Sequence, residues 1–97
     1  MNVFYKTPKD LIELWINKKI TNTTLKLYFL MVQRNSISHF QDKVGRTYFI
    51  MTYEEIQKEL AISKRNNISQ AIKQLENLGI LISVSRQGYA TKYYMKQ

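Results

Sequence analysis

Residues 52–79, TYEEIQKELAISKRNNISQAIKQLENLG, constrain the fold more than any other stretch, because their spacing calls for two short helices around a tight turn. Thr52 followed three positions later by Glu55 predicts a capping box, in which hydroxyl and carboxylate satisfy each other's orphan backbone N–H groups. Tyr53, Ile56 and Leu60 then form one apolar stripe, while Glu54, Gln57, Lys58 and Glu59 face water. Ala61-Ile62 is the bridge, and Ser63 is expected to cap a second helix. On that helix Ile68, Ala71, Ile72, Leu75 and Leu78 share a face, and Gly79 supplies a left-handed stop.

The opposite face is the informative one. It carries Asn66, Gln70, Lys73 and Asn77, flanked by Asn67 and Ser69, with no carboxylate before Glu76. Lys64 and Arg65 stand in the first turn, where the helix dipole disfavours cations unless an anion is near. Asn and Gln pair bidentately with adenine, Arg and Lys reach guanine or phosphate, and Ser serves either. A plain solvated face is the alternative, and the flanking turn and strands weigh against it.

After Gly79 come ILISVSR, QG and YATKYYM, two β-branched and aromatic runs about a Gly-containing turn, which is a hairpin signal. Helix, turn, helix and hairpin make a winged helix. Its second helix is expected to enter the major groove. The hairpin tip, Arg86, Gln87 and Gly88 with Lys92 nearby, is expected along the adjacent backbone or minor groove.

Charge agrees with that reading. Fifteen basic against seven acidic residues give a net charge of +8, which makes a polyanion the favoured partner. From Ser63 onward Lys64, Arg65, Lys73, Arg86, Lys92 and Lys96 oppose only Glu76, so the excess lies where the motif needs it. The 97 residues, 44% of them apolar, suffice for one domain with a modest core. The chain is therefore read as a single mainly helical α+β domain, an N-terminal arm and helix over residues 1–20 and a winged-helix core over 21–97. The absence of cysteine excludes disulfide staples and thiolate metal sites. No apolar run is long enough to span a membrane, and MNVFYKTPKD has no signal-peptide core, so a cytoplasmic location is expected.

Earlier in the chain, residues 2–6 are an extended-arm candidate. Thr7 is the expected cap of a helix opening at Pro8, with Leu11, Ile12, Leu14, Trp15 and Ile16 as its apolar residues. These exceed what one stripe needs, which offers Trp15 to a partner chain, with burial inside the domain as the alternative. Thr21 or Asn22 caps a longer helix to about Ser36, its buried stripe read as Leu25, Tyr28, Phe29 and Val32 with Leu27 or Met31. Residues 35–46 break the periodicity around a turn at Asp42–Gly45, and TYFIM at 47–51 is a strand candidate. His39 has no ligand or catalytic companions and is read as a loop residue. Glu54, Glu55 and Glu59 are read as structural, and no phosphate loop, metal cluster, cofactor motif or nucleophile set can be assembled. The chain reads as a binder, with no enzymatic role and no cofactor.

The runs LKLYFLMVQRNSIS, QDKVGRTYFIMTYEEIQKELAISK and AIKQLENLGIL, with the closing YYM, resemble the N-terminal domain of plasmid replication initiators of the RepA N-terminal type from low-GC Gram-positive bacteria. Tyr28, Arg34, Ser38, Asp42, Gly45, Tyr48, Thr52, Glu55, Ile56, Leu60, Ser63, Leu75 and Gly79 stand where that family has such residues, and FYKTPKDL resembles its start. The resemblance implies a winged helix that binds repeated DNA sites in a plasmid origin, commonly as a dimer, and starts replication by recruiting host factors; a phage origin fits the same reading of the residues. Two departures stand out. The family's hairpin often has a Pro before its last strand, and none is present here; such initiators also continue into a C-terminal domain, whereas this sequence ends at Gln97. An excised N-terminal domain and a small repressor or partition adaptor both fit that ending. A protein-interaction module on the same scaffold is the reading of another class.

Overall fold

A computed structural model describes residues 8–86 and 88–96, with the side chains of Pro8 and Arg86 outside the description. The arm at 2–6, the Thr7 cap and Gln87 therefore lie outside the described residues. Among the described residues four helices, α1 (Pro8–Ile16), α2 (Asn22–Ile37), α3 (Tyr53–Leu60) and α4 (Arg65–Asn77), and four strands, β1 (Phe40–Gln41), β2 (Thr47–Ile50), β3 (Leu81–Arg86) and β4 (Tyr89–Met95), follow one another in pairs, α1-α2-β1-β2-α3-α4-β3-β4. The strands form one antiparallel sheet in the order β1-β2-β4-β3. With α2 behind α3 and α4, and the β3–β4 hairpin as the wing, the fold is a winged helix.

Capping chemistry sets the helix ends. The Thr52 hydroxyl accepts from Glu55 N, and the Glu55 carboxylate accepts from Thr52 N, so the capping box is formed as expected. Thr21 caps α2 by accepting from Thr24 N. At the end of α4 the Gly79 and Ile80 N–H groups donate to the carbonyls of Glu76 and Leu75, with Gly79 at φ +75. That is a Schellman motif, closed by the buried Leu75 and Ile80.

Ser63 departs from expectation. The cap of α4 is Lys64, whose side chain makes no capping bond; Ser63 sits one position too early, its carbonyl accepting from the Gln57 side-chain amide. The preceding helix ends on Ala61 in the left-handed region at φ 54, with Ile62 N donating back to Gln57 O. A side chain with a Cβ is strained there, so Ala61→Gly should raise stability by about 1 kcal/mol in urea unfolding. A lower urea midpoint would mean that the turn does not hold this conformation.

The core contains Leu27, Tyr28, Met31, Ile56, Ile68 and Leu75 from the three central helices, with Leu11 from α1 and Phe49 and Tyr93 from the sheet. The α2 stripe is rotated from its expected position. Leu27, Tyr28, Leu30 and Met31 are buried, whereas Phe29 and Val32 are exposed and Leu25 is partly buried. Every side of α2 carries apolar residues, so periodicity alone did not fix its inward face. Phe49 and Tyr93 stack at 5.6 Å on the inner face of the sheet. Burial, then the neighbouring Tyr53 and Glu76, pushes the Tyr93 phenol up to about 12. It is neutral under ordinary conditions.

Residues 35–46, read from sequence as an irregular turn, include the short strand β1, and the turn joins β1 to β2. Asp42 organises it. Its carboxylate accepts from the N–H groups of Val44 and Arg46, from Arg46 Nε at 3.0 Å and from the Tyr94 hydroxyl at 3.1 Å. Desolvation pushes the Asp42 pKa up, but these hydrogen bonds outweigh it and hold the carboxyl below its ordinary value. A depressed folded pKa stabilises above the unfolded carboxylate value of about 4 and loses that stabilisation as pH falls through the folded one. Acid titration followed by NMR should show the Gly45 and Arg46 amides shifting below pH of about 4. Asp42→Asn should abolish that transition.

Candidate nucleic-acid interface

On α4, Asn66, Gln70 and Lys73 are spaced four and three apart and are all exposed, forming one stripe away from the core. Asn67, Lys64 and Arg65 are exposed around the helix start. The first turn carries no acidic residue and its cap makes no side-chain bond, so no side chain of the helix start neutralises its positive end. Ser69 is more constrained than its neighbours: its hydroxyl lies 3.1 Å from that of Tyr53, which fastens α4 to α3.

Arg65 has two local partners, the Glu54 carboxylate at 3.9 Å and the Tyr53 ring, 5.8 Å from its guanidinium. Both members of the ion pair are largely exposed, so the pair contributes about 0–1 kcal/mol and yields readily to a phosphate. Glu55 and Glu59 face Arg34 at 3.9 and 3.5 Å and tie α3 to α2. All three carboxylates of α3 therefore have structural partners. His39 is an exposed residue between α2 and β1, and among the described residues no group of three His, Cys, Asp or Glu could hold a metal ion.

Between the start of α4 and the wing runs a groove lined by Thr52, Tyr53, Arg65, Tyr89 and Thr91, and a second, beside it, by Ser69, Lys73, Ser83 and Thr91. Tyr53, Tyr89 and Thr91 were absent from the sequence-derived site. A β-bulge separates the Val84–Lys92 pair from the Arg86–Tyr89 pair, so alternation from the buried Tyr93 reaches Thr91 but not Tyr89, which no sequence signal placed. The same alternation removes Lys92 from this surface. Lys92 pairs in register with Ile50, and its Nζ lies 4.5 Å from the centroid of the Tyr48 ring, on the face of the sheet opposite Tyr93. Arg86 ends β3 at the tip of the wing, with its side chain, like Gln87, outside the description. The structure thus gathers Lys64, Arg65, Asn66, Asn67, Gln70 and Lys73 on one surface, with Ser69 at its inner edge, and separates Lys92 from them.

Residues 3–97 match the family described as the replication initiator protein A (RepA) N-terminus. The chain belongs to that family. Among solved structures, one described as "Structure of Rep-DNA complex" is 26% identical, with a TM-score of 0.74 over 98% of this chain and 75% of that one. "N-Terminal domain of DNA binding protein" is 26% identical with a TM-score of 0.70, covering 82% of this chain and 63% of that one. "Structure of MDR initiator" is 25% identical with a TM-score of 0.67, covering 82% and 64%. This chain thus spans under two thirds of the length of two of these neighbours. No curated protein gives a match. As a RepA N-terminal domain the chain keeps the winged helix intact, and among its described residues no helix is long and apolar enough to cross a membrane.

Proposed function

We propose that this RepA N-terminal domain binds duplex DNA sequence-specifically at repeated sites of a plasmid or phage replication origin, as the recognition step of initiation. The observation that carries the reading is the exposed Asn66–Gln70–Lys73 stripe on α4, on a helix whose start carries Lys64 and Arg65 and no acidic side chain. Asn66, Gln70 and Lys73 meet base edges; Lys64, Arg65 and Asn67 meet phosphates, and Ser69 orients the helix through Tyr53. Arg86 and Gln87 are assigned to the neighbouring DNA backbone from their place in the sequence. The solved Rep–DNA neighbour and the family membership support this reading. The module works in the cytoplasm, without a cofactor or chemistry of its own, and hands the marked origin to host replication factors.

Two copies act together. One winged helix offers few base contacts, and linked half-sites multiply affinity through effective concentration. Trp15, 41% exposed beside Ile12 and Ile16 on α1, is the surface available for pairing. Selection of bound duplexes from a random pool should return half-sites about one helical turn apart. With roughly six phosphate contacts per dimer, log K should fall against log salt with a slope of about −5. Binding equally to selected and scrambled duplexes would overturn the reading.

A further inference from the structure

The sheet has a second, unused face. Antiparallel register puts Phe40 opposite Tyr48, Ile50 opposite Lys92 and Val84 opposite Lys92, so these side chains stand away from the core. Phe40 stacks on Tyr48 with ring centroids 5.5 Å apart, and Tyr48 meets Tyr94 at 5.8 Å. Cations sit over two of these rings: Lys92 Nζ lies 4.5 Å from the centroid of Tyr48 and the Arg46 guanidinium 5.0 Å from that of Tyr94. Phe40 is 52% exposed, and Lys43 and Arg46 are exposed on the adjoining turn.

A patch of three neighbouring rings and three cations needs an anionic partner with flat apolar faces. The single carboxylate there, Asp42, is ion-paired with Arg46, so Lys43 and Lys92 remain as the uncompensated cations and the patch keeps a positive balance. A duplex cannot use the rings, because each base face within it is covered by its neighbours. Unpaired bases can stack, with their phosphates falling beside the cations. We infer that the outer face of the sheet, centred on Phe40, Tyr48 and Lys92, binds single-stranded DNA. This rests on the reading as a DNA-binding initiator module: α4 holds the duplex site, and the opposite sheet face takes a strand released where the origin opens.

The test is fluorescence anisotropy of the full chain with a labelled oligo-dT of about 12 nucleotides, within the site sizes of single-strand binders, alongside the selected duplex. Phe40→Ala and Lys92→Gln are each expected to weaken oligo-dT binding about tenfold or more and to leave duplex affinity unchanged. Phe40→Trp should retain it, which separates stacking from loss of the short strand β1. Gln70→Ala should do the reverse, altering duplex preference and sparing oligo-dT. Oligo-dT binding that is absent, or indifferent to both sheet variants, overturns the inference, as does tighter binding of the corresponding oligo-rU. Loss of duplex selectivity with the single-strand pattern intact would instead sink the duplex reading alone.

Discussion

Gln70→Ala is expected to erase preference at one base position of the bound site, at a cost of about 1–3 kcal/mol, while leaving the other positions as they were. Gln70 stands in the middle of the exposed α4 stripe, one turn after Asn66 and one turn before Lys73. Its amide offers a donor and an acceptor together, which matches adenine and not the other bases. It carries no charge, so affinity for random duplex and the salt slope should both be unchanged. Repeating the duplex selection with the variant, and measuring affinity against single-base changes in the parent site, checks this. An unaltered preference would move base reading to another surface of the domain.

Leu75→Ala is expected to cost about 2–5 kcal/mol of folding stability, the range for truncating a fully buried leucine. The side chain has no solvent exposure, and its carbonyl closes the Schellman motif on Ile80 at the junction of α4 and β3. A cavity there loosens the helix and the wing at once. The total stability of a small domain is about 5–15 kcal/mol, so the loss is a large share of it. Urea unfolding should show a lower midpoint with an unchanged slope. A loss under about 1 kcal/mol would mean that α4 is not packed as described.

Much of the fold was legible along the chain because its signals are local. The Thr52–Glu55 capping box, the cap at Thr21 or Asn22, taken by Thr21, and the Gly79 stop each involve residues within a few positions, and all three form as their chemistry requires. The α4 face was legible too, since an uninterrupted 3.6-residue period separates Ile68, Ala71, Ile72 and Leu75 from Asn66, Gln70 and Lys73. Where local signals were degenerate, expectation and structure part. Apolar residues surround α2, so only packing against α4 and the sheet selects Leu27, Leu30 and Met31 over Phe29 and Val32. Ser63 and Lys64 are adjacent, and the bond from Gln57 to the Ser63 carbonyl accompanies the cap one residue later.

By itself, then, the sequence determined the helix-turn-helix, the wing, the basic excess and the polar stripe on α4, all properties of neighbours in the chain. Tertiary structure decided what depends on strand register and on partners far apart in sequence. It placed β1 beside β2, tied Asp42 to Tyr94 fifty-two positions away, and turned Lys92 toward Tyr48 rather than toward α4. The reason is the two-residue period of a strand: one step along β4 separates the inward Tyr93 from the outward Lys92, and which face each takes is set only when β4 pairs with β2 over the helices.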